Sequence, residues 1–363
     1  MSAPSRIAFG PHQNGPLPAN KPRKCGFVIF VALGKQKAME IHRATEKDIS
    51  TIVSLLRVSL GESLMLKSER YWRWKHLENP FGQSPVLLAR EGEILVGVRA
   101  FMRWEWVDKG RIYKAVRAVD TATHPDYQGK GIFKKLTLSL VEKCKTHGDD
   151  FVFNTPNQQS MPGYMKMGWE EAGKLPIRVG IRRPVNIVSR LLGNRGGFVS
   201  EKENSKLMYY IDHPKLNGLL KSHLMNVSIV TNISKQYLTW RYLEVPVANY
   251  VAIGSEQSGN LNGLIIGRIK QSRFGKELRI TDCFLNEEVA VKDLIGQLKE
   301  SRRTWGIDYT TISDTMHSSK VLGRFSVSAG GPRVTLRSLS MAELQNLKNF
   351  KSWSPSLGDL ELF

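Results

Sequence analysis

Residues 124–133 read His-Pro-Asp-Tyr-Gln-Gly-Lys-Gly-Ile-Phe, and the interpretation of the chain starts from this glycine-bearing turn. Residues 112–123 before it alternate as a β-strand does, and residues 132–145 after it have the apolar spacing of an amphipathic helix. Glycines let the backbone come close to a ligand, and the free N–H groups and dipole of a helix start favour a phosphate. The sequence therefore predicts a phosphate-binding turn between a strand and a helix.

The segments around this turn predict a mixed α/β domain. Their order is strand, two helices, three strands, turn, helix, short strand and helix. The first strand covers residues 41–44, and Thr45 with Asp48 gives the capping-box pattern of a helix start. Residues 151–153 form a short buried strand, and the last helix starts near Ser160.

A second segment, residues 157–169, reads Asn-Gln-Gln-Ser-Met-Pro-Gly-Tyr-Met-Lys-Met-Gly-Trp. The turn resembles the Gln/Arg-x-x-Gly-x-Gly/Ala motif of the GCN5-related N-acetyltransferase (GNAT) family, with Gln128 and Gly131 in place and Phe133 where a small residue is usual. The second segment resembles the family's Asn-x-x-Ala-x-x-x-Tyr-x-x-x-Gly-Phe/Trp pattern, with Ser160 in place of the alanine. The resemblance implies a mixed, splayed central sheet flanked by helices.

The resemblance also implies a reaction and a set of site residues. An amine acceptor attacks acetyl-CoA directly, and the Tyr164 phenol protonates the departing thiolate, because its pKa of ~10 is close to that of a thiol. The cofactor-binding residues implied are Thr121, Ala122, Thr123, Gln128, Gly129, Lys130, Gly131, Ile132, Phe133 and Asn157.

The general base has several candidates. An ammonium acceptor must lose a proton before it attacks a thioester, which calls for a carboxylate or a water chain. Asp120 lies on the strand beside the expected acetyl position and is the predicted catalytic carboxylate. The C-terminal carboxylate of Phe363 is a second candidate, because tandem-GNAT aminoglycoside acetyltransferases recruit such a group. His124 precedes a proline and is interpreted as part of the turn.

The second half of the chain repeats the pattern of the first. Residues 74–80 and 240–246 share Trp-Lys/Arg-x-Leu-Glu-x-Pro, and the same order of strands and helices follows each copy. The second copy lacks the glycines, and Glu287 and Glu288 would repel a diphosphate. The sequence predicts a GNAT domain with the CoA site over residues 39–172, a basic linker over 173–199 and a degenerate GNAT-like domain over 200–363.

Composition limits the classes of function. The 363 residues include 53 basic and 33 acidic ones, and the formal charge of +20 suits an anionic partner such as CoA or nucleic acid. A non-catalytic module that contacts nucleic acid is the alternative function, but no helix-turn-helix, zinc-finger or RRM pattern supports it. No apolar run reaches the ~20 residues that span a bilayer. An oligomer is possible.

The cysteines and the N-terminus bear on location. Cys25, Cys144 and Cys283 are far apart, so neither a disulfide framework nor a cysteine zinc site is expected, and the prediction is a cytoplasmic protein without a metal. Residues 1–38 are basic and carry a short apolar stretch at 27–33, which resembles a signal-peptide core but lacks a clean cleavage site. We interpret them as a disordered extension, or as a start assigned before Met39.

Overall fold

The computed structural model describes residues 38–61, 66–192, 205–286, 288–314, 321–322, 326–340 and 345–360. The predicted N-terminal extension, apart from Ala38, lies outside these residues, as do Glu287 and Phe363. The description below concerns the unit that begins at Ala38.

The first half follows the predicted order of elements. Thr45 and Asp48 form the predicted capping box at a short 3-10 turn, with the Thr45 amide 2.9 Å from Oδ2 of Asp48. The elements are β1 (Met39–Arg43), α1 (Ile49–Leu60), α2 (Glu69–His76), β2 (Val86–Glu91), β3 (Ile94–Asp108), β4 (Arg111–Thr123), α3 (Ile132–His147), β5 (Phe151–Asn154), α4 (Met161–Lys166) and β6 (Glu170–Ile181).

Helix α5 (Pro184–Leu191) leads to the second half. That half contains α6 (Ser205–Ile211), α7 (Leu216–Asn226), β7 (Val230–Thr231), α8 (Lys235–Leu238), β8 (Val251–Gln257), β9 (Asn260–Ser272), β10 (Gly275–Leu285), α9 (Glu288–Thr304), β11 (Tyr309–Ser313), β12 (Ser326–Ser338), α10 (Gln345–Lys348) and α11 (Leu357–Leu360). A single π turn, Thr239–Leu243, follows α8.

The strands of the described residues join in one twelve-stranded mixed sheet. Its order is β1-β2-β3-β4-β5-β12-β6-β11-β10-β9-β8, and the short β7 pairs with β3. Helices cover the sheet, with α3 and α4 on a cluster that contains Phe101 and Leu136 and α9 on a cluster that contains Leu294. The predicted mixed α/β class is confirmed.

The last strand of each half is exchanged at the centre of this sheet. β12, from the second half, runs antiparallel to β5, and β6, from the first half, runs antiparallel to β11. β6 and β12 also pair with each other along most of their length. Each half therefore supplies the neighbour of the other half's short buried strand.

The segment predicted as a basic linker, residues 173–199, needs a correction at its beginning. Its first nine residues belong to β6, and Leu175 is fully buried. Pro176, which favoured a linker, lies opposite Gly330 where the register of β12 shifts. A proline has no N–H to donate, and an irregularity of this kind tolerates it. The strand forms because β11 and β12 flank it, and both lie more than 120 residues further along the chain.

The two tryptophans of the repeated motif meet in the core between the halves. Nε1 of Trp74 donates to the carbonyl oxygen of Trp240 (2.7 Å), and Nε1 of Trp240 donates to that of Trp74 (2.8 Å). Their rings are stacked, with centroids 4.7 Å apart. This reciprocal contact supports the hypothesis of an internal repeat, and the tandem arrangement of two GNAT-like domains stays a prediction.

Two further findings bear on location and metals. Within the described ranges, no helix has the length and apolarity needed to cross a bilayer. In the same ranges, no group of three or more histidine, cysteine or acidic side chains is placed to hold a metal ion, and Cys144 and Cys283 are buried and form no disulfide there. The cytoplasmic location stays a prediction.

Candidate acyl-CoA site

A cleft of about 920 Å³ opens where β4 ends and α3 begins. Its walls come from the end of α1, the last residues of β4, the glycine turn and the segment around α4. The lining residues are Ser59, Leu60, Thr121, Ala122, Thr123, Tyr127, Gln128, Gly129, Gly131, Ile132, Phe133, Lys134, Asn157, Gln159, Ser160, Gly163 and Lys166. The structure thus brings together every predicted cofactor-binding residue except Lys130, whose ammonium lies over the Tyr127 ring at 4.3 Å.

The glycine turn leaves its amides available. The amide of Gln128 donates to the Pro125 carbonyl oxygen (3.3 Å), but those of residues 129–133 make no backbone hydrogen bond within the described part of the chain. Gly129 and Gly131 have φ angles of +78° and +74°, a region that favours glycine. A Cβ added at either would have no atom within 4 Å, so both border open space. The first turn of a helix has no intrahelical acceptor for these donors, which leaves them for a ligand.

The strand edge beside the turn is also open. β4 pairs with β5 at residues 115–117, and no later residue of β4 pairs with β5. Residues 121–123 keep β3 on one side, and their other edge borders the cleft. The predicted splay between the two strands is present, and it leaves room for a slender chain.

Asn157 is placed as the second motif predicts. It lines the cleft, and its Oδ1 accepts from the Ser160 amide (2.8 Å) just before α4. Pro162 lies in the first turn of α4, where no N–H is required. Taken together, the donors of the turn, the free strand edge and Asn157 fit an acyl-CoA.

Tyr164 lies behind the wall of the cleft. The residue is 4% exposed, and its ring meets those of Phe133 (5.6 Å) and Trp169 (5.2 Å) edge-on. Its hydroxyl oxygen accepts from Nη2 of Arg99 (2.8 Å). The cleft therefore contacts Tyr164 through Phe133, the aromatic residue at the position where the motif usually has a small one.

Arg99, on β3, lies beside Tyr164 behind the wall of the cleft. It is fully buried, and its guanidinium carbon lies 4.9, 5.6 and 5.5 Å from the ring centroids of Phe101, Phe133 and Tyr164. Its Nε and Nη1 have no hydrogen-bond partner in the described part of the chain. A buried cation without a carboxylate is costly, and the three ring faces offset part of that cost. The one sequence signal is its position inside the apolar run at 94–102.

Asp120 is the unpaired residue of a bulge in β4, with φ at +37°. Its Oδ2 lies 2.8 Å from Nζ of Lys75 and 2.8 Å from Nε2 of His76, both on α2. Burial opposes ionisation, but these two neighbours outweigh it and hold the pKa of the Asp120 carboxyl well below its usual value. The carboxylate stays charged and has little tendency to take up a proton.

His76 extends this group of polar contacts. Its Nδ1 lies 2.9 Å from Oγ of Ser84, and burial lowers the pKa of the imidazole. The ring is therefore neutral near pH 7 and bridges Asp120 to Ser84 at the edge of a second cavity of about 340 Å³. Sequence reasoning did not single out Lys75 or His76, although both lie in the repeated motif.

The corresponding carboxylate of the second half has different surroundings. Asp282 accepts from the Tyr242 hydroxyl, and burial together with the nearby Asp359 raises the pKa of its carboxyl to about 7. The bulge in β10 falls at the preceding residue, so Asp282 itself is paired with Ile266. These contacts hold the Asp282 carboxyl within the core of the second half.

The other two candidate bases are placed less directly. Nδ1 of His124 accepts from the Asp126 amide (3.4 Å), so the ring belongs to the turn. The last described residue, Leu360, has its carbonyl oxygen 3.0 Å from Nη2 of Arg117 on β4. Burial lowers the pKa of Arg117 to about 9. The described chain thus ends in the core, three residues along β4 from Asp120, and Phe363 as a base stays a prediction.

Comparisons with known proteins bear on this fold and this cleft. Residues 40–172 match the family model described as acetyltransferase (GNAT) domain, and this part of the chain is a GNAT domain. The chain is similar to the L-amino acid N-acyltransferase MnaT of Escherichia coli (strain K12), with 25% identity over 95 residues. That match covers 25% of this chain and 54% of the relative, so the chain spans about half the length of the curated relative it matches.

Solved structures resemble both halves. A GCN5-related N-acetyltransferase from Anabaena variabilis aligns with a TM-score of 0.61 at 16% identity, over 83% of this chain and 73% of its own. One from Kribbella flavida aligns with a TM-score of 0.60 at 13% identity, over 84% of this chain and 72% of its own. At these identities the likeness shows the fold.

Proposed function

We propose that this protein is an N-acyltransferase that moves an acetyl group from acetyl-CoA to an amine acceptor by direct attack. The observation that carries the proposal is the open cleft, in which the free amides of residues 129–133 and the unpaired edge of β4 meet. When bound, acetyl-CoA supplies the activated acyl group as a thioester.

The binding roles follow from position. The amides of residues 129–133 donate to the diphosphate, and the dipole of the sixteen-residue helix α3 adds to their attraction. The backbone of residues 121–123 pairs with the amide-bearing pantetheine arm as a strand edge would. Asn157, whose side chain is fixed by the Ser160 amide, contacts the cofactor from the far side of the cleft.

Tyr164 is the proposed donor of the proton that the leaving thiolate needs. Arg99 donates to its oxygen, so the hydroxyl proton is turned away from the guanidinium. Phe133 lies against the phenol ring and borders the cleft, and its rotation would open the path between them. Arg99 acts here as a positioning residue.

Asp120 and the Phe363 carboxylate are the two proposed partners of the acceptor ammonium. The low pKa of Asp120 favours a role in which it attracts and orients the cation over one in which it takes the proton. The Phe363 carboxylate is then the candidate that accepts the proton. The acceptor class proposed is any primary amine that reaches Asp120, from a sugar amine to a lysine side chain.

The binding step is tested by the effect of acetyl-CoA on the melting temperature, in the parent and in Gly131→Glu. The new carboxylate would face the diphosphate, so we expect acetyl-CoA to stabilise the parent and not the variant. Gly148→Glu is the matched control, because Gly148 ends the same helix with φ at +84° and also borders open space. Acetyl-CoA should raise the melting temperature of Gly148→Glu as it does that of the parent.

Thiol release from a series of acyl-CoAs against a panel of amines extends the test to the reaction. We expect the parent and Gly148→Glu to release thiol and Gly131→Glu to be inactive. A parent that is not stabilised by acetyl-CoA, yet binds DNA in a salt-sensitive manner, would instead favour the non-catalytic module.

A further inference from the structure

Helix α5 is attached to the protein through its polar side. Nδ2 of Asn186 donates to Oδ1 of Asp308 (3.1 Å), and Nε of Arg190 lies 3.8 Å from Oδ2 of the same carboxylate. Just before the helix, the amides of Arg182 and Arg183 donate to the Asp308 carbonyl oxygen (2.9 and 3.0 Å). Because Asp308 is buried, these contacts fix the orientation of the helix.

The opposite side of α5 is apolar and faces solvent. The exposed fractions are 78% for Val185, 55% for Val188, 57% for Leu191 and 83% for Leu192. Their spacing places these four side chains along one side of the helix. An amphipathic helix of a globular protein normally turns its apolar side to the core. This helix is turned the other way, so its apolar side is available to another surface.

The sequence on either side of this helix is basic. No acidic residue lies between Glu171 and Glu201, a stretch that includes six lysines and arginines. The turn between β9 and β10 adds the exposed Arg273 and Phe274, close to Lys276, whose amide donates to Asp308 (2.8 Å). Cations and exposed apolar side chains are therefore gathered near one buried carboxylate.

We propose that α5 docks the protein on an anionic lipid bilayer. The four apolar side chains would enter the boundary between headgroups and acyl chains, and the basic side chains around the helix, apart from Arg190, which lies against Asp308, would meet lipid phosphates. Charge favours a bilayer over a second copy of the chain as the partner of this side. Two copies of so basic a face would repel each other, whereas an anionic bilayer attracts it. The helix would lie in the interface, because eight residues are too few to span the bilayer.

Sedimentation of the full chain with phosphatidylcholine vesicles, with and without phosphatidylserine, tests the proposal. We expect binding only to vesicles with phosphatidylserine, weakened by salt, and weakened about tenfold by Val188→Ser with Leu192→Ser. The matched control is Met208→Ser with Met225→Ser, which changes two exposed apolar residues on α6 and α7 and should bind as the parent does. Circular dichroism melting verifies that each variant is folded.

Four outcomes would overturn the proposal. Equal binding to both kinds of vesicle, or no binding to either, would show that the protein does not recognise an anionic bilayer. An unchanged affinity of the folded α5 double variant would show that α5 is not the docking element. Size-exclusion chromatography in which the parent is a dimer and the α5 variant a monomer, without any lipid effect, would assign this side to a second copy of the chain.

Discussion

At the scale of single residues, Arg99 is a fully buried cation beside the site. Among the described residues its guanidinium has one hydrogen bond, to Tyr164, and three aromatic neighbours. Replacing a buried charge by an apolar group of similar size is often neutral or stabilising. A cation kept there against that tendency is expected to serve the reaction, because it holds the phenol in one orientation.

This assignment predicts opposite effects on activity and stability. Tyr164→Phe should lower kcat about a hundredfold, as expected for loss of a general acid, and Arg99→Met about tenfold. The double variant should resemble Tyr164→Phe alone, because the two act as a unit. The free energy of unfolding of Arg99→Met should be unchanged within about 1 kcal/mol, or higher. Steady-state kinetics and urea unfolding measure both quantities.

Arg111→Met is the control for this pair, since Arg111 is exposed and stacks on Tyr113 at 4.6 Å. It should leave kcat unchanged. Additive losses in the double variant would show that Arg99 does not act through Tyr164. A destabilised Arg99→Met with normal kcat would show that Arg99 serves the fold alone.

At the scale of elements, Asp120 joins α2 to the bulge of β4. Lys75 and His76 are both buried and both contact its carboxylate, so the packing of the helix on the strand depends on one charge. Removing one partner of a buried pair leaves the other uncompensated, at a cost of about 3–5 kcal/mol. Asp120→Asn should therefore destabilise the protein by about that amount at pH 7.

The pH dependence of this loss has a definite sign. The pKa of Asp120 is depressed in the folded state, so its stabilisation is present above the unfolded value of about 4 and declines as the pH falls further. The difference between parent and variant in urea unfolding should narrow below about pH 4. Glu78→Gln is the control, because the exposed pair of Glu78 with Arg70 is worth at most about 1 kcal/mol. A constant difference down to low pH would contradict the prediction.

Elements whose structure depends on neighbouring residues could be predicted from the sequence. Elements that depend on partners far along the chain could not. The turn at residues 124–133 carries its own glycines and lies between a regular strand and helix, so its structure follows from neighbouring residues. β6 depends on β11 and β12, and its proline and basic residues resemble a linker until those strands are in place. The surroundings of Arg99, Lys75 and His76 likewise arise from packing across the sheet, which single-sequence patterns do not contain.

At the scale of the whole molecule, the exchanged strands make the two halves one sheet. The first half has the glycine turn and the cleft, while the second completes the sheet beside β5 and supplies the segment that contacts Arg117. The repeat was visible in the sequence from one motif and the order of elements. The exchange of β6 and β12 was not visible in the sequence. A sheet with exchanged last strands and a sheet without the exchange have the same order of elements along the chain.

Hydrogen–deuterium exchange of the full chain, with and without saturating acetyl-CoA, measures the central claim most directly. The amides of residues 129–133 have no backbone hydrogen-bond partner among the residues that the structure describes, so they should exchange rapidly in the free protein. Acetyl-CoA should slow their exchange and that of residues 121–123. Unchanged exchange in both segments, or protection confined to another part of the chain, would contradict the assignment of this turn as the diphosphate site.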